Sequence, residues 1–160
     1  MLKLFGGVLL IAACFGVGAT VSHLETLALR ETEAFLSLIS HIRSEITAFR
    51  RPLSDIFASY RDPVLSACGF LENATKTNAE QAFSECRARL FLASDEENIL
   101  SSFFAGLGKR SAGEEKNACL VCEEKLSHLI SARRASLPKK KSLSCAIGTL
   151  VGILAAILLF

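Results

Sequence analysis

Cys119-Leu-Val-Cys122 is the feature of this sequence that most resembles a chemical site. Thiols three residues apart share one face of a helix, and such a pair can ligate a metal or cycle through a disulfide. Cys68 and Cys86 would complete a set of four zinc ligands. However, a second close pair is missing, and the residues between Cys119 and Cys122 are apolar. A redox pair belongs at a helix N-terminus, where the dipole lowers the thiol pKa, whereas this one falls inside an expected helix. The simpler expectation is that the cysteines are reduced and buried as small apolar residues. A membrane-anchored metal or redox sensor using Cys119 and Cys122 stands as the alternative.

Nothing else assembles into a reactive set. His23, His41 and His128 have no metal-ligand or dyad spacing. Glu96-Glu97, Glu114-Glu115 and Glu123-Glu124 read as solvated helix positions. Gly106-Leu-Gly108 lacks the strand that a nucleotide loop needs. The Asn73-Ala-Thr75 sequon is silent in a cytoplasmic domain. No nucleophile and base stand together, so the expectation is no enzyme, no cofactor and no small-molecule substrate.

The elements that would carry these residues are helical. Leu24, Leu27, Phe35, Leu38, Ile39, Ile42, Ile46, Phe49 and Leu53 recur at spacings near three and four, with charges mostly opposite. Pro52 ends this helix or opens the next. A short helix comes after it through Ile56, Phe57 and Tyr60, then a turn at Asp62-Pro63 and one or two turns carrying Val64, Leu65 and Cys68. Residues 73–78 read as a polar loop. Ala79, Ala82, Phe83, Cys86 and Leu90 form another apolar face. Ser94-Asp95-Glu96-Glu97 has the form of a capping box before Ile99, Leu100, Phe103, Phe104 and Leu107, with a stop at Gly108. After a loop over 109–113, Ala118, Cys122, Leu126, Leu129 and Ile130 form a last stripe. Pro138 is expected to kink or interrupt the path from this helix into the C-terminal apolar run. The predicted class is all-α, a bundle of five or six helices over residues 23–137.

Charge divides the chain sharply. All 16 acidic residues, and every basic residue except Lys3, lie between Glu25 and Lys141. Leu4–Ser22 and Ser142–Phe160 are uncharged runs of 19 residues each. As helices each spans roughly 28 Å, about the hydrocarbon thickness of a bilayer. Residues 1–22 and 138–160 are therefore expected to hold transmembrane helices, the second behind a basic juxtamembrane segment. Ala12, Gly16 and Thr20, and Gly148, Gly152 and Ala156, repeat small residues every fourth position, a face suited to close helix packing in lipid.

The first run has a rival reading as a secretory signal, in which Ile11-Ala12-Ala13-Cys14 resembles a lipoprotein cleavage box. Against that, only Lys3 supplies a basic start, the apolar run continues past Cys14, and no linker precedes the helical pattern.

Arg133, Arg134, Lys139, Lys140 and Lys141 flank the second run on its loop side, opposed only by Lys3 and the N-terminal amine. This bias places residues 23–137 in the cytoplasm. No aromatic residue interleaves with the basic block, so it reads as a topology signal and not as a nucleic-acid patch. Arg43, Arg50, Arg51, Lys109 and Arg110 lie off the apolar stripes or in loops and are candidates for docking a partner, with plain solvation as the simpler account of each.

Several local patterns, in order and at matching spacing, resemble the stage III sporulation protein AB family. They are the Met1-Leu-Lys-Leu start with its Gly-rich helix, the Ile42–Leu53 stretch ending in Pro-Leu, Asp95 and Leu100 before Leu107-Gly108, and the basic segment leading to Gly148-x-x-x-Gly152. The chain departs from the family where Gly108 is followed by Lys-Arg-Ser-Ala-Gly and where Lys139–Lys141 run into Ser-Leu-Ser without an aromatic. The resemblance implies a role in endospore formation, within the complex joining mother cell and forespore. It also implies a helical domain similar to those of secretion and pilus platform proteins, which contact a cytoplasmic secretion-type ATPase. The implied partners are that ATPase and other membrane subunits.

Overall fold

The computed structural model describes the backbone over 2–49 and 51–159, and side chains over 23–49 and 51–136. Among the described residues all regular structure is helical. The helices are α1 (Leu2–Phe49), α2 (Leu53–Ser59), α3 (Pro63–Ala67), α4 (Phe70–Lys76), α5 (Ala79–Cys86), α6 (Ser94–Gly106) and α7 (Ala112–Leu159), with a 3-10 turn at Arg87–Arg89. The chain divides into two compact units, one of Met1–Leu27 with Ala132–Phe160, the other of Ala28–Ser131. Among the described residues no helix is long and apolar enough to cross a membrane. The side chains of both uncharged runs lie outside the described residues, and with them the expected spans and their small-residue faces at Ala12, Gly16, Gly148, Gly152 and Ala156.

The unit from Ala28 to Ser131 is built around phenylalanine. Phe35 on α1 is fully buried and meets Phe70, Phe83 and Phe104 at centroid distances of 5.3, 5.7 and 5.9 Å, all edge-on. Phe70 and Phe83 contact Phe104 in turn at 5.1 and 5.3 Å. Rings at these separations and tilts set the positive edge of one against the negative face of the next, adding about 0.5–1.5 kcal/mol per pair beyond area burial. Leu38, Ile39, Ile42, Ile56, Leu65, Leu100 and Leu126 fill the space around them, all fully buried. Most apolar positions read from sequence periodicity are thus core or packed against it, but Leu24 and Phe49, expected on the same stripe of α1, are exposed.

Each short helix has a local reason to start where it does. Pro52 precedes the first residue of α2, where its missing N–H costs nothing. The Asp62 carboxylate accepts from the backbone of Val64 and Leu65 at 2.8 and 3.0 Å, so Asp62-Pro63 caps and opens α3. Gly69 takes φ +81°, turning the chain into α4 where a side chain would be strained. Asn78 Oδ1 accepts from Gln81 at 2.7 Å and starts α5.

Three sequence expectations need correction. The polar stretch 73–78 is not a loop, because α4 runs to Lys76 and only Thr77 and Asn78 link it to α5. Phe70, Leu71 and Ala74 bury one face of this helix while Asn73 and Lys76 serve the other through Glu85 (3.0 Å) and Glu72 (2.5 Å). A helix shorter than two turns needs only three apolar contacts, too few for a periodic signal.

The capping box at Ser94–Glu97 is also not formed. Ser94 is the first helical residue, and Glu96, only 2% exposed, reaches back to the Ala93 amide at 2.9 Å while Glu97 pairs with Arg87. Burial of Glu96 shifts the motif by one residue. The reciprocal box occurs instead at Ser111 and Glu114, where the Ser111 amide donates to Glu114 Oε2 at 3.0 Å and the Glu114 amide to Ser111 Oγ at 3.4 Å. It opens α7 within the expected loop.

Finally, α7 continues through Pro138. A proline removes one ladder bond, and the bonds on either side can carry the helix past it.

Candidate functional site

Cys119 and Cys122 lie on the inward face of α7, 0% and 4% exposed. Burial pushes each thiol up to about 12, with Glu115 and Glu123 adding to the shift at Cys119. Near neutral pH both are protonated and shielded, the opposite of what a nucleophilic or metal-seeking thiol requires.

Cys68 and Cys86 are also buried, with their sulfurs close enough to influence each other's ionisation. Cys68 Sγ donates to Leu65 O at 3.2 Å and Cys86 Sγ to Phe83 O at 3.3 Å. The neighbouring Cys68 sulfur and burial both push the Cys86 thiol up. Among the described residues no three His, Cys, Asp or Glu side chains are grouped to hold a metal ion, so the four cysteines do not converge.

The docking candidates are placed differently from one another. Arg43 is tied to Glu123 at 2.8 Å and is about one-third exposed. Arg51 lies 3.4 Å from Glu45 and 5.7 Å from the Phe49 ring centroid. Lys109 pairs with Glu80 at 3.1 Å. Arg110 is exposed. Arg50 and Lys139–Lys141 lie outside the described residues; Arg133 and Arg134, half-buried and exposed, fall in the unit holding both chain ends. Of the described candidates, Arg43, Arg51 and Lys109 are each engaged by an acid.

Besides Glu96, two buried carboxylates occupy positions that, on sequence alone, suggest only a solvated helix face. Glu31 Oε2 accepts from the Phe91 amide at 2.6 Å; burial raises its pKa, the Phe91 bond opposes that shift, and nearby Glu96 adds to it. Glu115, 3% exposed, accepts from the Gly108 amide at 3.1 Å. Both acids hold chain segments that have no helical partner, a task with no sequence signature beyond an acid on an otherwise apolar stripe.

Between α6 and α7 runs an open groove of about 520 Å³. Ile99, Phe103, Ala118, Val121 and Cys122 form its apolar walls, with Arg110 and Lys125 at its edges. A second hollow of about 490 Å³ continues it along α7 toward Leu129, sharing Ile99, Val121 and Lys125. Val121 is 50% exposed, a surface position that in the sequence is only the interior of a CxxC pair.

A helical unit centred on aromatic packing, with an open apolar groove between two of its helices and four buried cysteines, defines an all-α protein. The chain belongs to the Stage III sporulation protein AB family, whose model matches residues 3–160. No curated protein and no solved structure matches it. The family assigns it to stage III of sporulation.

Proposed function

We propose that this chain is a non-enzymatic membrane scaffold in the sporulation complex between mother cell and forespore. Its Ala28–Ser131 unit is cytoplasmic and docks a secretion-type ATPase. The observation that carries this reading is the extent of the family match: residues 3–160 take in the helical unit together with both uncharged 19-residue runs. Each run is of bilayer length. The basic residues Arg133, Arg134 and Lys139–Lys141 support the cytoplasmic assignment. The burial of Cys119 and Cys122 weighs against the thiol-sensor alternative.

Topology and partner are tested together in sporulating cells. A photocrosslinking residue at Arg51 or Lys109 is expected to capture a cytoplasmic ATPase. A cysteine placed at exposed Ser84 is expected to stay unlabelled by a membrane-impermeant maleimide until the cells are opened; the native thiols in this unit are buried and give little background. Labelling of intact cells would overturn the topology, and capture of only envelope proteins would overturn the ATPase contact.

A further inference from the structure

We infer that the groove between α6 and α7 docks an amphipathic helix of a partner protein, one whose apolar stripe is flanked by acidic residues. The inference deepens the scaffold reading and rests on it only in requiring a protein partner on this unit.

The groove has the shape of a helix seat. Its α7 wall extends from Asn117 to Leu129. At 1.5 Å per residue that is about 18 Å, or a little over three turns. A helix of that length presents apolar residues at i, i+3 or i+4, and i+7, the pattern that fills an apolar groove. Val121 lies at the centre of this wall, where both hollows meet, and half of it is open to solvent. Ile99 stands opposite on α6, half-buried.

Charge selects the occupant. In the Arg110 section the lining holds two cations and no acid; the remaining polar lining is Asn98, Ser102 and Asn117. Five other cations of this unit are already paired: Arg43 with Glu123, Arg51 with Glu45, Lys76 with Glu72, Arg87 with Glu97 and Lys109 with Glu80. Arg110 and Lys125 form no ion pair among the described residues.

Arg110 itself is exposed. Its guanidinium lies against Gly106, where any Cβ would overlap it, so the glycine admits the cation beside the C-terminal end of α6. That end carries the negative pole of the helix dipole, which favours a cation there. Glu124 and His128 line only the far section, toward Leu129. The bound helix therefore runs with its acidic residues facing Arg110 and Lys125 and a neutral or basic residue toward Glu124.

The test places a photocrosslinking residue at Val121 of the full chain in sporulating cells and maps the captured peptide. The expected product is a helical segment with acidic residues beside an apolar stripe. Lys125→Glu should lower its yield roughly tenfold, by setting like charges together, and reversing the facing acid on the partner should restore it. Capture of a second copy of this chain, of lipid, or of a segment without acidic flanks would overturn the inference, as would no capture or a yield indifferent to Lys125→Glu. If Arg51 or Lys109 captures the ATPase while Val121 fails in any of these ways, the scaffold reading stands and the groove assignment falls. If Val121 captures an acidic helix while Arg51 and Lys109 capture no ATPase, the groove stands and the ATPase contact falls.

Discussion

Arg43 Nε donates to Glu123 Oε1 across 2.8 Å, joining α1 to α7 over a separation of 80 residues. The pair is partly shielded and lies close enough to Cys119 for the guanidinium to offset some of the thiol's upward shift. A double-mutant cycle with Arg43→Ala and Glu123→Ala should give a coupling of about 0.5–1 kcal/mol in urea denaturation of the full chain. A coupling that does not weaken between low and high salt would contradict an electrostatic origin.

Phe35 makes three edge-on contacts and has no exposed surface. Phe35→Ala should cost on the order of 3–5 kcal/mol, since it removes one ring and leaves Phe70, Phe83 and Phe104 without a shared neighbour. Phe91, 52% exposed, is the matched control and should cost far less on truncation. Equal losses at the two sites, read by thermal unfolding, would show that the phenylalanine cluster is not the core.

Gly108 turns the chain from α6 into α7 at φ +81° and presents its amide to Glu115. An added Cβ would stand 3.0 Å from Leu53 Cδ1. Gly108→Ala should therefore destabilise by about 1–2 kcal/mol, from the left-handed backbone and the crowding together. Gly113, with open space around its Cβ position and a place in the first turn of α7, should accept alanine with no loss of stability. The contrast between the two variants is the measurement.

Cys119 and Cys122 are both pushed up to about 12 by burial. A raised thiol pKa means that the fold favours the protonated form. Its contribution is complete below the pKa of the unfolded thiol, and is lost as pH rises through that value toward 12. Iodoacetamide at pH 8 should leave both thiols unmodified in the folded chain and label them at the rate of unfolding in urea. Stoichiometric labelling in the native state would revive the sensor alternative. Cys119→Ala with Cys122→Ala should sporulate normally.

Glu31 has its pKa raised, chiefly by burial. For this acid the fold favours the protonated state, so its contribution is present at low pH and diminishes as pH rises through the shifted value. Glu31→Gln keeps an oxygen for the Phe91 amide and removes the charge. The stability of this variant relative to the parent should improve from pH 4 to pH 7. A relative stability that falls over this interval would mean that the charged bond to Phe91 outweighs desolvation.

The legibility of the sequence varied with the length of each element. Phe35, Leu38, Ile39 and Ile42 repeat over enough turns to announce a buried face, and all four are buried. α4 has only Phe70, Leu71 and Ala74 to do so, and its polar outer face has the composition of a loop. Ser94-x-x-Glu97 and Ser111-x-x-Glu114 have the same form on paper. Ser111 and Glu114 form the box, whereas Ser94 does not, because Glu96 is drawn inward.

What the sequence by itself determined was the partition of charge along the chain, the helical class, the apolar stripe of each long helix and the family resemblance. Those properties depend on residue type and on spacing within one segment. What only the tertiary structure decided was which polar side chains have an inward task and which cations remain available. Glu31, Glu96 and Glu115 are buried because amides of Phe91, Ala93 and Gly108 lack helical partners at those points in space. Lys109 is paired and Arg110 is not, although they adjoin in sequence, because Glu80 arrives from α5 beside only one of them. Neighbours of that kind come from chain segments tens of residues away, and no local pattern encodes their arrival.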